Sequence, residues 1–121
     1  MKDYKNLQVW SKGHGLALEI YRATQVFPQH ELYGLSSQMR RASVSIPSNS
    51  AEGCGRNTNS ELVRFIDIAM GSGSELEYQL LLVHDLGYLT AADFAALDQQ
   101  TSEVRRMLNA LIHKIRGEIG T

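Results

Sequence analysis

At 121 residues, with 43% hydrophobic and 21% charged residues and a formal net charge of −1, the chain has the size and composition of one globular domain. That balance excludes a disordered or low-complexity chain, and no apolar run approaches the ~20 residues needed to span a bilayer. The start, Met1-Lys2-Asp3-Tyr4-Lys5, leads into mixed polar residues rather than a signal-peptide core. The single cysteine, Cys54, cannot form an internal disulfide, so the expected compartment is the reducing cytoplasm, with no membrane partner.

The first segment, with Leu7, Trp10, Leu18, Tyr21 and Phe27 at helical spacing, predicts a helix over about 4–27 that ends before Pro28. Trp10 and Tyr21 are expected to be core or interface anchors. The second, with Leu35, Met39, Ala42, Ile46 and Gly53 in compatible phase, predicts a helix over about 31–53 that contains Pro47. A proline there removes a backbone donor and crowds the Ser43 carbonyl, costing ~3 kcal/mol, so the helix either kinks or breaks. The apolar phase survives across the proline, which favours a kink.

Residues 53–57 (Gly-Cys-Gly-Arg-Asn) are expected to form the next turn, and Thr58 with Glu61 has the spacing of a capping box. A third helix over about 59–86 follows from the stripe Leu62, Ile66, Ala69, Gly73, Leu76, Leu80 and Val83. Gly87 is a plausible C′ residue, and Thr90 with Asp93 offers a second capping box. The fourth helix, over about 91–117, carries Phe94, Leu97, Thr101, Val104, Leu108, Leu111 and Ile115 at alternating steps of three and four. Short connections make successive helices antiparallel, so the expected fold is all-α, a single antiparallel up-and-down four-helix bundle.

Small residues recur on the apolar faces: Ser36, Ser43 and Ser50 on the second helix, and Gly71, Ser72, Gly73 and Ser74 on the third. Glycine inside a helix costs ~1 kcal/mol relative to alanine, so the cluster points either to close helix approach or to a break near residue 72. Charge is unevenly spread. Residues 1–60 carry seven Lys/Arg against four Asp/Glu, or +3, residues 61–101 one against seven, or −6, and residues 102–121 four against two, or +2. This reads either as pairing between an acidic third helix and basic neighbours, or as phosphate patches. Those patches would be Arg40, Arg41, Arg56 and Arg64 in one place, and Arg105, Arg106, Lys114 and Arg116 in another.

Catalytic and cofactor signatures are missing from the sequence. None of the eight glutamates has a histidine three residues later, as a di-iron bundle requires, and His14, His30, His84 and His113 are scattered. Gly53-Cys54-Gly55 lacks the third glycine and preceding strand of a dinucleotide loop, and nothing supplies Cys54 with a base. The expectation is a protein that is not an enzyme and holds no cofactor or metal.

Trp10, Ile20-Tyr21, Phe27-Pro28, Glu31-Leu32-Tyr33-Gly34-Leu35, Gln38-Met39-Arg40-Arg41-Ala42, Ser45-Ile46-Pro47-Ser48-Asn49, Ala51-Glu52-Gly53, Gly55-Arg56, Arg64-Phe65, Ala69, Gly71-Ser72 and Glu75-Leu76 resemble the bacterial "four helix bundle protein" family. This family includes proteins encoded in intervening sequences of ribosomal RNA genes and is similar to the accessory variability determinant of diversity-generating retroelements. The resemblance implies a protomer of a ring-like homopentamer, with RNA or a nucleoprotein as partner. It marks Arg40, Arg41, Arg56 and Arg64 as candidate nucleic-acid or partner contacts, and Pro47, Asn49, Glu52 and Gly53 as motif positions with a structural role. The other reading is an interaction scaffold with no nucleic-acid ligand.

Overall fold

The computed structural model describes residues 3–119. Four helices make up the bundle: α1 (Gln8–Thr24), α2 (Ser37–Cys54), α3 (Asn59–Asp85) and α4 (Ala91–Ile119). Short 3-10 turns at Tyr4–Asn6 and Gln29–Glu31 and a π turn at Leu32–Ser36 complete it, with no strand among the described residues. Each helix packs against its chain neighbours, and α1 closes the ring against α4. The four buried stripes meet in one core, in which Ile20, Met39, Ile46, Ile66, Leu76, Leu80 and Leu108 are fully enclosed. At ~1.5–3 kcal/mol for each large apolar side chain buried, this core drives the assembly of the helices.

The termini follow the expected chemistry. The Thr58 hydroxyl accepts from the Glu61 amide at 3.2 Å, and the Thr90 hydroxyl from the Asp93 amide at 3.1 Å. Gly87, at φ 79°, ends α3 in a Schellman motif: its amide donates to the His84 carbonyl, and the Tyr88 amide to that of Val83.

Several boundaries differ from the sequence expectation. The first helix occupies Gln8–Thr24 rather than 4–27, because Leu7 and the residues after Thr24 leave the α ladder. The Thr24 hydroxyl turns back to the Ile20 carbonyl at 2.7 Å, and Pro28 steers Phe27 out of helical conformation. Phe27 packs instead on Tyr88, with centroids 5.5 Å apart. The second helix begins at Ser37 because Gly34 leaves helical geometry (φ −110°, ψ −113°). The stretch from Gln29 to Ser36 is held to the α3–α4 connection by Tyr88, whose hydroxyl donates to Glu31 at 2.9 Å. The turn after α2 starts at Gly55, not Gly53.

Pro47 does not break α2, which runs unbroken through it. The pyrrolidine faces α1 at Gly13, where an added Cβ would lie 3.1 Å from Ile46 Cγ2 and 3.6 Å from Pro47 Cδ. Burial of Met39 and Ile46 on either side offsets the ~3 kcal/mol cost of the proline. The third helix is likewise unbroken at residue 72, so close approach explains its small residues in part. A Cβ on Gly73 would sit 2.8 Å from Arg105 Cγ, whereas Gly71 faces open space.

The tightest approach lies between α2 and α3. A Cβ on Gly53 would meet Leu62 Cδ1 at 2.9 Å, Phe65 Cβ at 3.1 Å and the Leu62 carbonyl at 3.3 Å. Farther along, the Ser72 hydroxyl donates to the Ser45 hydroxyl at 2.8 Å. These two contacts set the antiparallel register of the pair. Gly53→Val should cost about 1–3 kcal/mol by overpacking, read as a lower midpoint in urea unfolding; an unchanged midpoint would refute the close-approach assignment.

Candidate functional site

The outward face of α2 is built from small residues, with Ser37, Ser45, Ser48 and Ala51 among Arg41, Val44 and Glu52, and Gly55 just past its end. A helix that presents hydroxyls and methyls where its neighbours present rings lies in a depression. A trough runs along α2 for most of its length. Its widest part, about 650 Å³, is lined by Tyr21, Leu32, Tyr33, Arg40, Arg41 and Val44 with a row of serines. It continues into a hollow of about 390 Å³ bounded by Tyr4, Trp10, His14, Leu18 and Pro47, and then to Glu52 and Arg56 at the far end.

The wall of the trough comes from a second apolar face on α1. The helix buries Val9, Leu16, Ala17 and Ile20 toward the core, while Trp10, His14, Leu18 and Tyr21 recur three and four residues apart on the outer side. Trp10 meets Tyr4 edge-on at 5.0 Å and stacks on His14 with rings 2° from parallel. The stripe expected to bury the first helix is therefore largely this outer wall. Tyr33 is 92% exposed and Tyr21 44%, so aromatic surface stands open at one end. Sequence reasoning did not single out Leu32, Tyr33 or Val44 as site residues. Their spacing fits an ordinary helix, and only the three-dimensional arrangement shows that no other helix covers them.

The four candidate arginines do not form one patch. Arg40 donates from Nε to the Thr24 hydroxyl at 2.8 Å and lays its guanidinium over the Tyr21 ring at 4.9 Å. Arg41, one residue on, is exposed in the trough and has no carboxylate partner among the described residues. Arg56 pairs with Glu52 at 2.8 Å and sits over Phe65 at 4.7 Å, where Arg64 also lies at 5.3 Å. From Arg40 to the end of α2 is a helical rise of roughly 21 Å, so the arginines form two pairs at opposite ends of the trough. Each pair has an aromatic ring as its platform.

The remaining motif positions make contacts within the bundle. Asn49 donates from its side-chain amide to the Ser45 carbonyl at 2.8 Å and hydroxyl at 2.9 Å, fixing Ser45 for its contact with Ser72. It does not reach the Ser43 carbonyl that Pro47 leaves without a helical donor. Glu52 serves Arg56, and Gly53 admits α3. Two of the four residues of the second expected patch are neutralised within the protomer, Arg105 by Glu77 at 2.8 Å and Arg116 by Asp67 at 3.4 Å. Arg106 donates to the Ser102 hydroxyl. Surface pairs of this kind contribute little to stability, but they lower the positive potential that α4 presents to an anion.

No group of three or more His, Cys, Asp or Glu positioned to hold a metal occurs among the described residues. Among the described residues, no helix is long and apolar enough to cross a membrane. The histidines remain apart, His14 against Trp10 and His84 stacked on Phe94 at 4.3 Å. Cys54 is buried at the end of α2, and burial raises its thiol above the ordinary range. What the trough offers is binding chemistry: rings to stack on, guanidinium groups for anions, hydroxyls to hydrogen-bond, and an apolar middle.

The profile of the 23S rRNA-intervening sequence protein family matches residues 5–110. Among solved structures, the chain is similar to a protein of unknown function from the S23 ribosomal protein family of Bacteroides thetaiotaomicron. The two share 22% identity and a TM-score of 0.81 over 87% of this chain and 95% of that one, which establishes a common fold. No curated protein is matched by the chain.

The state of Cys54 gives a direct check on this end of the trough. A raised thiol pKa lowers the thiolate fraction at every pH below it, and burial restricts access. Alkylation at pH 8 should therefore be markedly slower in the native protein than in urea, and should accelerate as pH rises; equal rates in the two states would contradict the burial.

Proposed function

The chain belongs to the 23S rRNA-intervening sequence protein family, and we propose that it is a non-enzymatic helical bundle that assembles with copies of itself and binds RNA or a nucleoprotein. The assembly is a ring-like homopentamer in the cytoplasm, as the family resemblance suggests. The observation that carries the RNA reading is the pair Arg56 and Arg64 over Phe65, at the open turn between α2 and α3. Guanidinium groups laid on a ring lose less freedom when they meet a phosphate, and Arg64 has no carboxylate partner among the described residues.

With a net charge of −1, a single protomer holds an anionic chain weakly. Repetition around a ring turns weak sites into usable avidity, because each further contact is made at high effective concentration. Stacking on exposed tyrosine also suits unpaired RNA bases better than a duplex, which buries its bases.

A second reading, a protein-interaction scaffold, is favoured by one feature: the middle of the trough is apolar, with Leu18, Val44 and Pro47 and no charge. The two readings part on a single measurement. Labelled structured RNA should be retained by the wild-type protein at low salt and released as salt rises. Arg56→Gln with Arg64→Gln should weaken retention and lower the log–log salt slope by about 1.4 for each protomer engaged, for two phosphates of single-stranded RNA. No retention at low salt, together with a stoichiometric protein partner in a nuclease-treated pull-down, would decide for the scaffold.

A further inference from the structure

At the wide end of the trough the fold leaves an acceptor and a donor side by side with nothing to bond. Asn49 is turned to the Ser45 carbonyl, which can only accept, so the amide group facing it is Nδ2, at 2.8 Å. The amide oxygen Oδ1 therefore points away, and no donor among the described residues reaches it. The Ser45 hydroxyl accepts twice, from Asn49 Nδ2 at 2.9 Å and from the Ser72 hydroxyl at 2.8 Å, so its own proton is left to donate. Both residues line the trough, whose void here of about 650 Å³ lies within the roughly 300–1,000 Å³ typical of ligand sites.

The groups around this pair carry the other two kinds of contact that a nucleotide makes. Arg41, one turn of α2 before Ser45, is exposed and without a carboxylate partner, and no Asp or Glu is among the residues that line this part of the trough. Beyond Arg41, Tyr33 holds an almost fully exposed ring. Its backbone is pinned on both sides, because Glu31 accepts from the Leu35 amide at 3.4 Å and from the Tyr88 hydroxyl at 2.9 Å. A ring carried on a fixed backbone loses little freedom when a base stacks on it.

We propose that the wide end of the trough is a site for two consecutive unpaired nucleotides of single-stranded RNA. One base stacks on Tyr33, the linking phosphate meets Arg41, and the edge of the next base is read by Asn49 Oδ1 and the Ser45 hydroxyl. The inference rests on the RNA reading proposed above and adds to it a second contact, at the opposite end of α2 from Arg56 and Arg64.

Adenine suits the edge-reading pair, since its exocyclic amine donates and a ring nitrogen accepts beside it on either of its hydrogen-bonding edges. Asparagine commonly meets adenine with both halves of its amide. Here Nδ2 is spent within α2, and the Ser45 hydroxyl supplies the missing donor. A duplex has these edges occupied and its bases covered, so the site selects single strands.

The test uses the full chain and a labelled oligoadenosine of about eight nucleotides, followed by fluorescence anisotropy at low salt. The wild type should bind it, and should bind the N6,N6-dimethylated oligomer, equal in charge but without the amine protons, several-fold more weakly. Tyr33→Ala should weaken binding roughly tenfold, the loss of one base stack, whereas Tyr33→Phe should keep it, with far-UV circular dichroism unchanged in both. Arg41→Gln should lower the log–log salt slope by about 0.7 for each protomer engaged. Equal binding of the two oligomers overturns the edge reading, and polyglutamate of matched charge displacing the RNA as well as unlabelled oligoadenosine does would assign the surface to an acidic peptide instead. Structured RNA retained through Arg56 and Arg64, with oligoadenosine unbound or indifferent to Tyr33→Ala, overturns this site and leaves the RNA reading standing. Failure to retain any RNA at low salt overturns both.

Discussion

The thinness of α2 is the constraint from which the rest of the structure follows. Its inner face carries Ser43, Ser50 and Gly53, all buried, with buried Ser36 just before its first residue, and so α2 lies close to its neighbours. Buried hydroxyls would be costly if unpaired, but Ser43 donates to the Arg40 carbonyl at 2.9 Å and Ser50 to that of Ile46 at 2.9 Å. The helix therefore supplies the partners for its own buried hydroxyls. The same economy of side chain on the outer face makes the trough, since α1 on one side and α3 on the other stand higher than α2. A bulky residue at Gly53 or at Ser48 would damage different things for the same reason, the first the packing and the second the surface.

Electrostatics sort the surface into what is satisfied within the protomer and what is left over. The acidic third helix meets α4 through Glu77 with Arg105 and Asp67 with Arg116, and α1 meets α4 through Lys12 with Glu103 at 3.1 Å. Within α1, Glu19 holds Arg22. Two of the seven acids in the −6 segment, Asp67 and Glu77, are thus paired with basic residues of α4. Four arginines have no carboxylate partner among the described residues: Arg106 donates to Ser102, and Arg40, Arg41 and Arg64 stand beside exposed or ring-bearing surface. That residue of unpaired charge beside aromatic rings distinguishes this bundle from one whose surface is only solvated.

Much of the fold was legible in the sequence because helical periodicity is a local signal. The stripes Leu62 to Val83 and Phe94 to Ile115 are the ones buried, and the stops at Thr58, Gly87 and Thr90 act through hydrogen bonds that a sequence can advertise. The first helix was the hardest to read because it has two apolar faces. Val9, Leu16 and Ile20 alternate with Trp10, Leu18 and Tyr21, and periodicity alone does not say which set faces inward. The start of α2 was missed because Gly34 departs from helical geometry in a motif whose composition is helical. The candidate site suffered most. Nothing local tells that Arg40 lies over Tyr21 and Arg56 over Phe65, or that Asn49 serves Ser45 rather than the carbonyl freed by Pro47.

An outward face with Trp10, Leu18, Tyr21, Tyr33 and Val44 is expensive to leave in water and gains nothing for the stability of a lone protomer. Core packing is complete without it, as the full burial of Ile20, Met39 and Ile46 directly beneath shows. Such a face has a physical rationale only in contact with something else, and the something must tolerate a floor of serines and an arginine at the rim. The middle of the trough, with Leu18, Val44 and Pro47 and no charged side chain, offers apolar contact, and its wider end adds Arg41 and a row of serines. Arg56 and Arg64 share the Phe65 platform away from that apolar middle, and of the two it is Arg64 that has no carboxylate partner among the described residues.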